Sequence, residues 1–235
     1  MEEEEKQPEV TEENQQNEVQ QEKKEKRATS IIKAHFTAPR IAYMAIFTAL
    51  AFVVTFFEFP IFPQASFLKL DFANVFFLIE GFMFGPVEAF VSICLKELLC
   101  FTKSATGGVG EVANLFMSTA YIIIPSIAYR FKRGKWWVCL YLVLACIVQT
   151  GVSLLVNRYI NFPFFVGELA AEWFTSLWPF VIYFNLIKSV IMGVIVFIIY
   201  KPLSRFINIT AQKYEKRMAA AKRKKKEASD EPKDE

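Results

Sequence analysis

From residue 41 to residue 200 the sequence is a succession of apolar runs, each broken from the next by charges, glycine or proline. Several approach the roughly 20 residues needed to cross a bilayer as a helix. That leaves few folds open. In hydrocarbon every backbone N–H and C=O must be satisfied within the chain, so such runs become helices. The expected class is all-α, a polytopic membrane protein with six transmembrane helices. Of the 235 residues 54% are hydrophobic, yet both ends of the chain are strongly polar, so the apolar content is concentrated in the middle.

The stretch 67–86, FLKLDFANVFFLIEGFMFGP, is the centre of this pattern. It approaches through Pro60, Pro63 and Lys69, passes one acid, Asp71, and turns into an aromatic and aliphatic run that stops at Gly85-Pro86. It reads as a re-entry into the membrane, with the acid and the lysine standing where the chain leaves water. The six spans are expected at 41–59, 72–84, 87–101, 111–129, about 136–157 and 180–200. Between them, 102–110 is a glycine-bearing loop, and 158–179 is a mixed loop in which GELAAEWFTSLW forms a short surface helix.

Three regions follow: a disordered, charged N-terminal tail at 1–39, a membrane domain at 40–201, and a C-terminal basic and then acidic tail at 202–235. Lys33, Arg40, the cluster at 130–135, Lys201 and Arg205 fall on one side, against Lys69, Lys103 and Arg158 on the other. The excess of positive charge places both termini in the cytoplasm. The loops 59–71, 102–110 and 158–179 then face outward. The lysines and arginine at 222–226 are expected to meet anionic lipid of the inner leaflet, and no nucleic-acid partner is expected. No signal peptide is visible. Cys94, Cys100, Cys139 and Cys146 lack CxxC spacing and read as small buried hydrophobes.

Motifs that would make an enzyme or a motor are missing. Gly134-Lys135 is followed by Trp136, so there is no GxxxxGK[ST] phosphate loop, and GxSxG and HExxH are absent. The only histidine, His35, precedes the first span. The chain is read as not an enzyme, with no metal site.

What remains are intramembrane polar residues. Asn185 and Lys188 are three apart and share a helix face. A lysine at that depth costs a few kcal/mol unless it pairs, snorkels or faces a polar cavity. A pair with Glu111 or another carboxylate and a ligand site are both open. Asn114 and Asn157 can reach the same cavity, or can bridge helices. Lys96 and Glu97 project about 100° apart and are expected to need separate partners. Glu80 and Glu88, beside the Gly85-Pro86 turn, are expected in solvent. Phe67, Phe72 and Phe164 stand near the outer mouth, and Ala45 and Ala49, one turn apart, offer a close-packing face.

These features resemble the substrate-binding S component of energy-coupling factor (ECF) vitamin transporters. More narrowly, Phe67-Leu68-Lys69-Leu70-Asp71-Phe72 leading to Gly85-Pro86, Leu95-Lys96, Gly110-Glu111-Val112-Ala113-Asn114 and Asn185-Leu186-Ile187-Lys188 are similar to the riboflavin-specific S components. The resemblance spans about residues 40–200. It implies a multi-pass protein of the cell membrane that takes riboflavin from the outside as transported ligand, with no cofactor of its own. Leu70, Asp71, Asn114, Asn157, Asn185 and Lys188 would bind the vitamin, and Ala45 and Ala49 would dock on a transmembrane coupling subunit carried by two ATPase subunits. Relatives commonly read Lys-Asn where this chain has Lys96-Glu97, a departure expected to bear on packing more than on ligand identity. The alternatives are an S component for folate, pantothenate or a thiamine precursor, or a membrane scaffold without a transport role.

Overall fold

The computed structural model describes residues 36–230. The acidic head, Lys33 and His35 lie outside them. The chain divides into two units, Met1–Tyr43 and Met44–Glu235. Among the described residues the first unit holds only the opening of the first helix.

The elements in order are α1 (Ala38–Val54), a 3-10 turn (Thr55–Phe57), β1 (Phe59–Pro60), a second 3-10 turn (Pro63–Ala65) and β2 (Lys69–Leu70). Then come α2 (Ala73–Met83), α3 (Pro86–Phe101), α4 (Val109–Phe131) and α5 (Lys135–Val156). A π-helical turn (Asn157–Asn161), the short α6 (Phe162–Val166), a 3-10 turn (Gly167–Leu169) and the long α7 (Ala170–Asp230) complete the chain. The protein is mostly helical. Ala38–Phe57, Val109–Phe131 and Lys135–Ile199 are long and apolar enough to cross a membrane, and Ala73–Met83 is a shorter apolar helix.

Local sequence explains the joints. Gly85 sits at φ 125°, a conformation that disfavours side chains, and Pro86 occupies the first turn of α3, where its missing N–H costs nothing. Gly108 caps α4 at φ 93°, and a Cβ there would strike the Phe101 ring. The α3–α4 corner therefore requires glycine.

Helix α4 packs between α3 and α5, α5 lies against α7, and α2 touches α3, α4 and α7. Phe77, Leu78, Ile93, Tyr121, Ile122, Val138, Val181, Met192 and Val196 form the buried core. Tyr121 donates its hydroxyl to the Ser189 carbonyl at 3.0 Å, tying α4 to α7 without leaving a buried polar group unmet.

Several expectations need correction. The region 158–179 is not a loop with a separate surface helix. The π turn and α6 carry the helical path onward from α5, the break falls at Gly167 with φ 56°, and GELAAEWFTSLW largely forms the opening of α7. Pro179 lies inside that helix, as proline does where neighbouring helices and side chains meet the freed carbonyl. The fold is also not wholly helical: Phe59 pairs with Leu70 and Pro60 with Lys69 in a short antiparallel ladder. Glu80 and Glu88 are fully buried rather than solvated; Ser92 Oγ donates to Glu80 Oε1 at 2.6 Å. Among the cysteines, all free, only Cys100 is buried, while Cys139 is exposed. The backbone of α7 runs on through 222–226, whose side chains lie outside the described part.

On α1, Met44, Thr48 and Ala51 face inward. Ala45 and Ala49 are on the opposite, exposed face, beside Ile46, Leu50 and Val53.

Candidate functional site

A cavity of ≈ 260 Å³ opens among the loop that enters α2, the α3–α4 corner, the π turn and α7. Each wall is set by a local feature. The β1–β2 ladder folds the 58–71 loop back, and Lys69 donates to Glu58 Oε1 at 2.9 Å on its exposed rim. Asp71 Oδ1 accepts from the Ala73 amide at 2.9 Å. The acid thus meets an otherwise unpaired N–H at the start of α2 and lies at the positive end of that helix.

The other oxygen of Asp71 faces α7. Lys188 Nζ donates to Oδ2 at 3.0 Å, and both side chains are 9% exposed. Burial pushes the Asp71 carboxyl upward, but the ammonium groups of Lys188 and Lys96, with the hydrogen bonds from Lys188 and Ala73, outweigh it and hold it at about 2. Lys188 is therefore paired with Asp71 and not with Glu111. Glu111 instead accepts from Ser104 at 2.7 Å and Thr106 at 3.1 Å, which fastens the 102–110 loop.

A second ion pair lines the same cavity. Lys96 Nζ donates to Glu97 Oε1 at 2.9 Å, with both side chains almost wholly buried. The expectation of separate partners fails because long side chains can bend around the helix even when their Cα–Cβ vectors diverge. Glu97 and Lys96 both line the cavity.

The amides form a connected strip. Asn185 Nδ2 donates to Ser153 Oγ and to the Val181 carbonyl, both at 2.8 Å, and its Oδ1 accepts from Gln149 at 3.2 Å. Gln149 Oε1 accepts from Ser189 Oγ at 2.9 Å. Asn157 donates to the Ser153 carbonyl at 2.8 Å and accepts from Asn161 at 3.0 Å. The Asn161 Oδ1 is buried without a hydrogen-bond partner.

Of the expected binding residues, Asp71, Asn114, Asn157, Asn185 and Lys188 line this one cavity. Leu70 does not; it is a core residue at 3% exposure. Phe67 lines the wall and meets Phe162 edge-on at 5.6 Å. Phe72 packs against the core and Phe164 lies against Phe165; the lining rings are Phe67, Phe165 and Phe184.

Sequence reading missed Gln149, Ser153 and Asn161. Their signal was there. Residues 149, 153 and 157 recur every four positions along a single face of an apolar helix. A step of four overshoots a 3.6-residue turn, and the wider π turn takes the drift back, so Asn161 stays on that face. The cavity is therefore lined by a strip of amides, two ion pairs and the rings of Phe67, Phe165 and Phe184. Such a lining suits a small polar molecule held by several directed hydrogen bonds.

The family model for the ECF transporter, substrate-specific component, matches residues 39–200. The riboflavin transporter RibU of Staphylococcus aureus (strain TCH60) is 28% identical over 173 residues, covering 72% of this chain and 92% of that protein. RibU of Streptococcus thermophilus is 28% identical over 178 residues, with 72% and 84% covered. The riboflavin transporter FmnP of Bacillus subtilis (strain 168) is 22% identical over 177 residues, with 72% and 93% covered. A structure solved as the S component of a bacterial ECF transporter superposes with a TM-score of 0.64 at 28% identity, covering 72% of this chain and 97% of that one. This chain belongs to the ECF transporter substrate-specific component family, a family of substrate-binding membrane subunits and not of enzymes.

Proposed function

We propose that this protein captures riboflavin from outside the cell and presents it for ATP-driven uptake by partner subunits. Its 40–201 region is a six-helix, multi-pass domain of the cell membrane, with the tails 1–39 and 202–235 both in the cytoplasm. The observation that carries the reading is the convergence of Asp71, Lys188, Asn114, Asn157 and Asn185 on one cavity, in a chain whose relatives are named riboflavin transporters. An isoalloxazine ring is flat, uncharged and edged with both donors and acceptors. Amides serve both kinds of edge, and Phe67, Phe165 and Phe184 supply apolar surface for its faces.

Riboflavin is the transported ligand and no other cofactor is involved. With no phosphate loop of its own in the sequence, the chain binds while a coupling subunit and two ATPases drive release. The small, exposed face at Ala45 and Ala49 is where the coupling subunit docks, because small residues let another helix approach closely in lipid.

Titration calorimetry of the detergent-purified protein with riboflavin tests this, beside an Asn185→Ala/Lys188→Ala variant. Tight one-to-one binding that the variant loses supports both function and site. A folded protein that ignores riboflavin refutes the choice of vitamin. Binding that survives in the variant keeps the function and rejects the site.

A further inference from the structure

We propose that the α4–α5 corner, residues 130–137, binds an anionic phospholipid of the surrounding bilayer, with Lys132, Arg133 and Lys135 holding its phosphate. None of these residues lines the cavity, so the site is independent of which ligand the cavity takes.

Charge is spread unevenly along α4 and α5. Glu111 opens α4, and no further aspartate or glutamate occurs before Glu168. Between Val112 and Asn157 the only cations are Arg130, Lys132, Arg133 and Lys135, all gathered at the turn. Arg130 lies close to an acid: a Cβ built on Gly85 would stand 3.3 Å from the Glu88 carboxylate and 3.6 Å from the Arg130 guanidinium. The other three form no ion pair with a carboxylate among the described residues. Each stands over a ring instead, Lys132 Nζ 4.4 Å from Trp137, Arg133 Cζ 5.7 Å from Tyr129, and Lys135 Nζ 5.1 Å from Phe197 of α7. A ring positions a cation without cancelling its charge. All three side chains are exposed, so their remaining N–H groups are open to an anion.

The corner is apolar as well as basic. Phe131 is 82% exposed and Trp136 86%, and Trp137 lies against Tyr141 with ring centroids 6.1 Å apart. Tryptophan at the end of a membrane span sits at headgroup level, its ring towards the acyl chains. An anionic phospholipid answers both halves of the patch. Its phosphate accepts charge-assisted hydrogen bonds from ammonium and guanidinium groups, and its acyl boundary covers the rings of Phe131 and Trp136. An acidic peptide, such as this chain's own Glu2–Glu5 run, would satisfy the cations and leave those rings in water. In the proposed topology the corner lies at the inner leaflet, where anionic lipid attracts cations close to the membrane.

The test uses the full chain carrying Trp173→Phe and Trp178→Phe, so that Trp136 and Trp137 are the remaining tryptophans. It is reconstituted in vesicles of phosphatidylcholine with one part in three phosphatidylglycerol, with brominated chains on either one lipid or the other. Bromine quenches a tryptophan it touches, so the two quenching levels give the relative affinity of the corner for the two lipids. Phosphatidylglycerol is expected to be favoured about fivefold or more, as even one cation near an anionic surface implies. Lys132→Gln/Arg133→Gln/Lys135→Gln should bring the ratio to about one, while Lys132→Arg/Lys135→Arg, which keeps the charge, should retain the preference. No preference in the native corner overturns the proposal, and an acidic peptide as the true occupant would give that result. A preference that survives the triple glutamine variant overturns it too, because other cations then attract the lipid.

Discussion

Lys188 on α7 donates to Asp71 at the entrance to α2 across 3.0 Å, joining residues 117 positions apart in the chain. The bond closes the cavity wall between the loop that enters α2 and the last helix. Removing one partner strands the other charge in a buried place, which costs about 3–5 kcal/mol. Lys188→Ala is therefore expected to lower the melting temperature of the ligand-free protein in detergent, and Lys188→Met with Asp71→Asn to recover part of that loss. Thermal unfolding of the three variants is the check.

The same carboxyl sets a limit in acid. Asp71 is held at about 2, below the ordinary 3.8, so the folded state binds its proton less readily than the unfolded chain does. Its contribution to stability is full above about pH 4 and is lost as pH falls towards 2. Melting curves between pH 6 and pH 2 should show a step in this window that Asp71→Asn removes. An identical acid limb in that variant would assign the loss to other carboxylates.

Gly108 predicts a different kind of failure. Any side chain there meets both an unfavourable φ of 93° and the Phe101 ring. Gly108→Val is expected to destabilise by about 1–3 kcal/mol. It should also weaken riboflavin binding, since the α3–α4 corner is part of the wall. Phe101→Ala added to Gly108→Ala relieves the clash but not the φ, so the pair should recover only part of the stability lost in Gly108→Ala alone.

How much of this was readable in the sequence follows from range. Asn185 and Lys188 were legible because three residues apart on a helix is one face, whatever the fold. Asp71 stood out because an acid at the edge of an apolar run needs a reason. Which cation it takes was not legible, since the partner lies on a helix whose placement depends on the whole bundle. Glu80 and Glu88 were misread for the same cause: a turn such as Gly85-Pro86 suggests water nearby, and only tertiary packing showed the two acids enclosed. The π turn at 157–161 left no local mark, so the loop and surface helix expected there are instead a helical path that breaks only at Gly167.

The buried acids give a further test at the opposite end of α2. Ser92 Oγ donates to Glu80 Oε1 at 2.6 Å, while Glu80 Oε2 has no hydrogen-bond partner. Ser92→Ala removes that donor from a fully buried carboxyl group and should cost about 1–3 kcal/mol. Neither Ser92 nor Glu80 lines the cavity, so the loss should appear in thermal unfolding and not in riboflavin affinity measured well below the melting temperature.

A substitution on the exposed face of α1 tests the proposed docking apart from binding. Ala45 and Ala49 line no part of the cavity and are open to solvent or lipid. If the coupling subunit docks there, a large charged side chain at Ala49 blocks close helix approach and places a charge in the contact. Ala49→Arg is therefore expected to bind riboflavin as the native protein does in detergent, yet to fail to copurify with the coupling and ATPase subunits when all are expressed together. Uptake of labelled riboflavin by cells relying on this protein should fall to background in parallel. Normal copurification by Ala49→Arg would move the docking surface off this face, and loss of riboflavin binding in that variant would show that α1 supports the cavity directly.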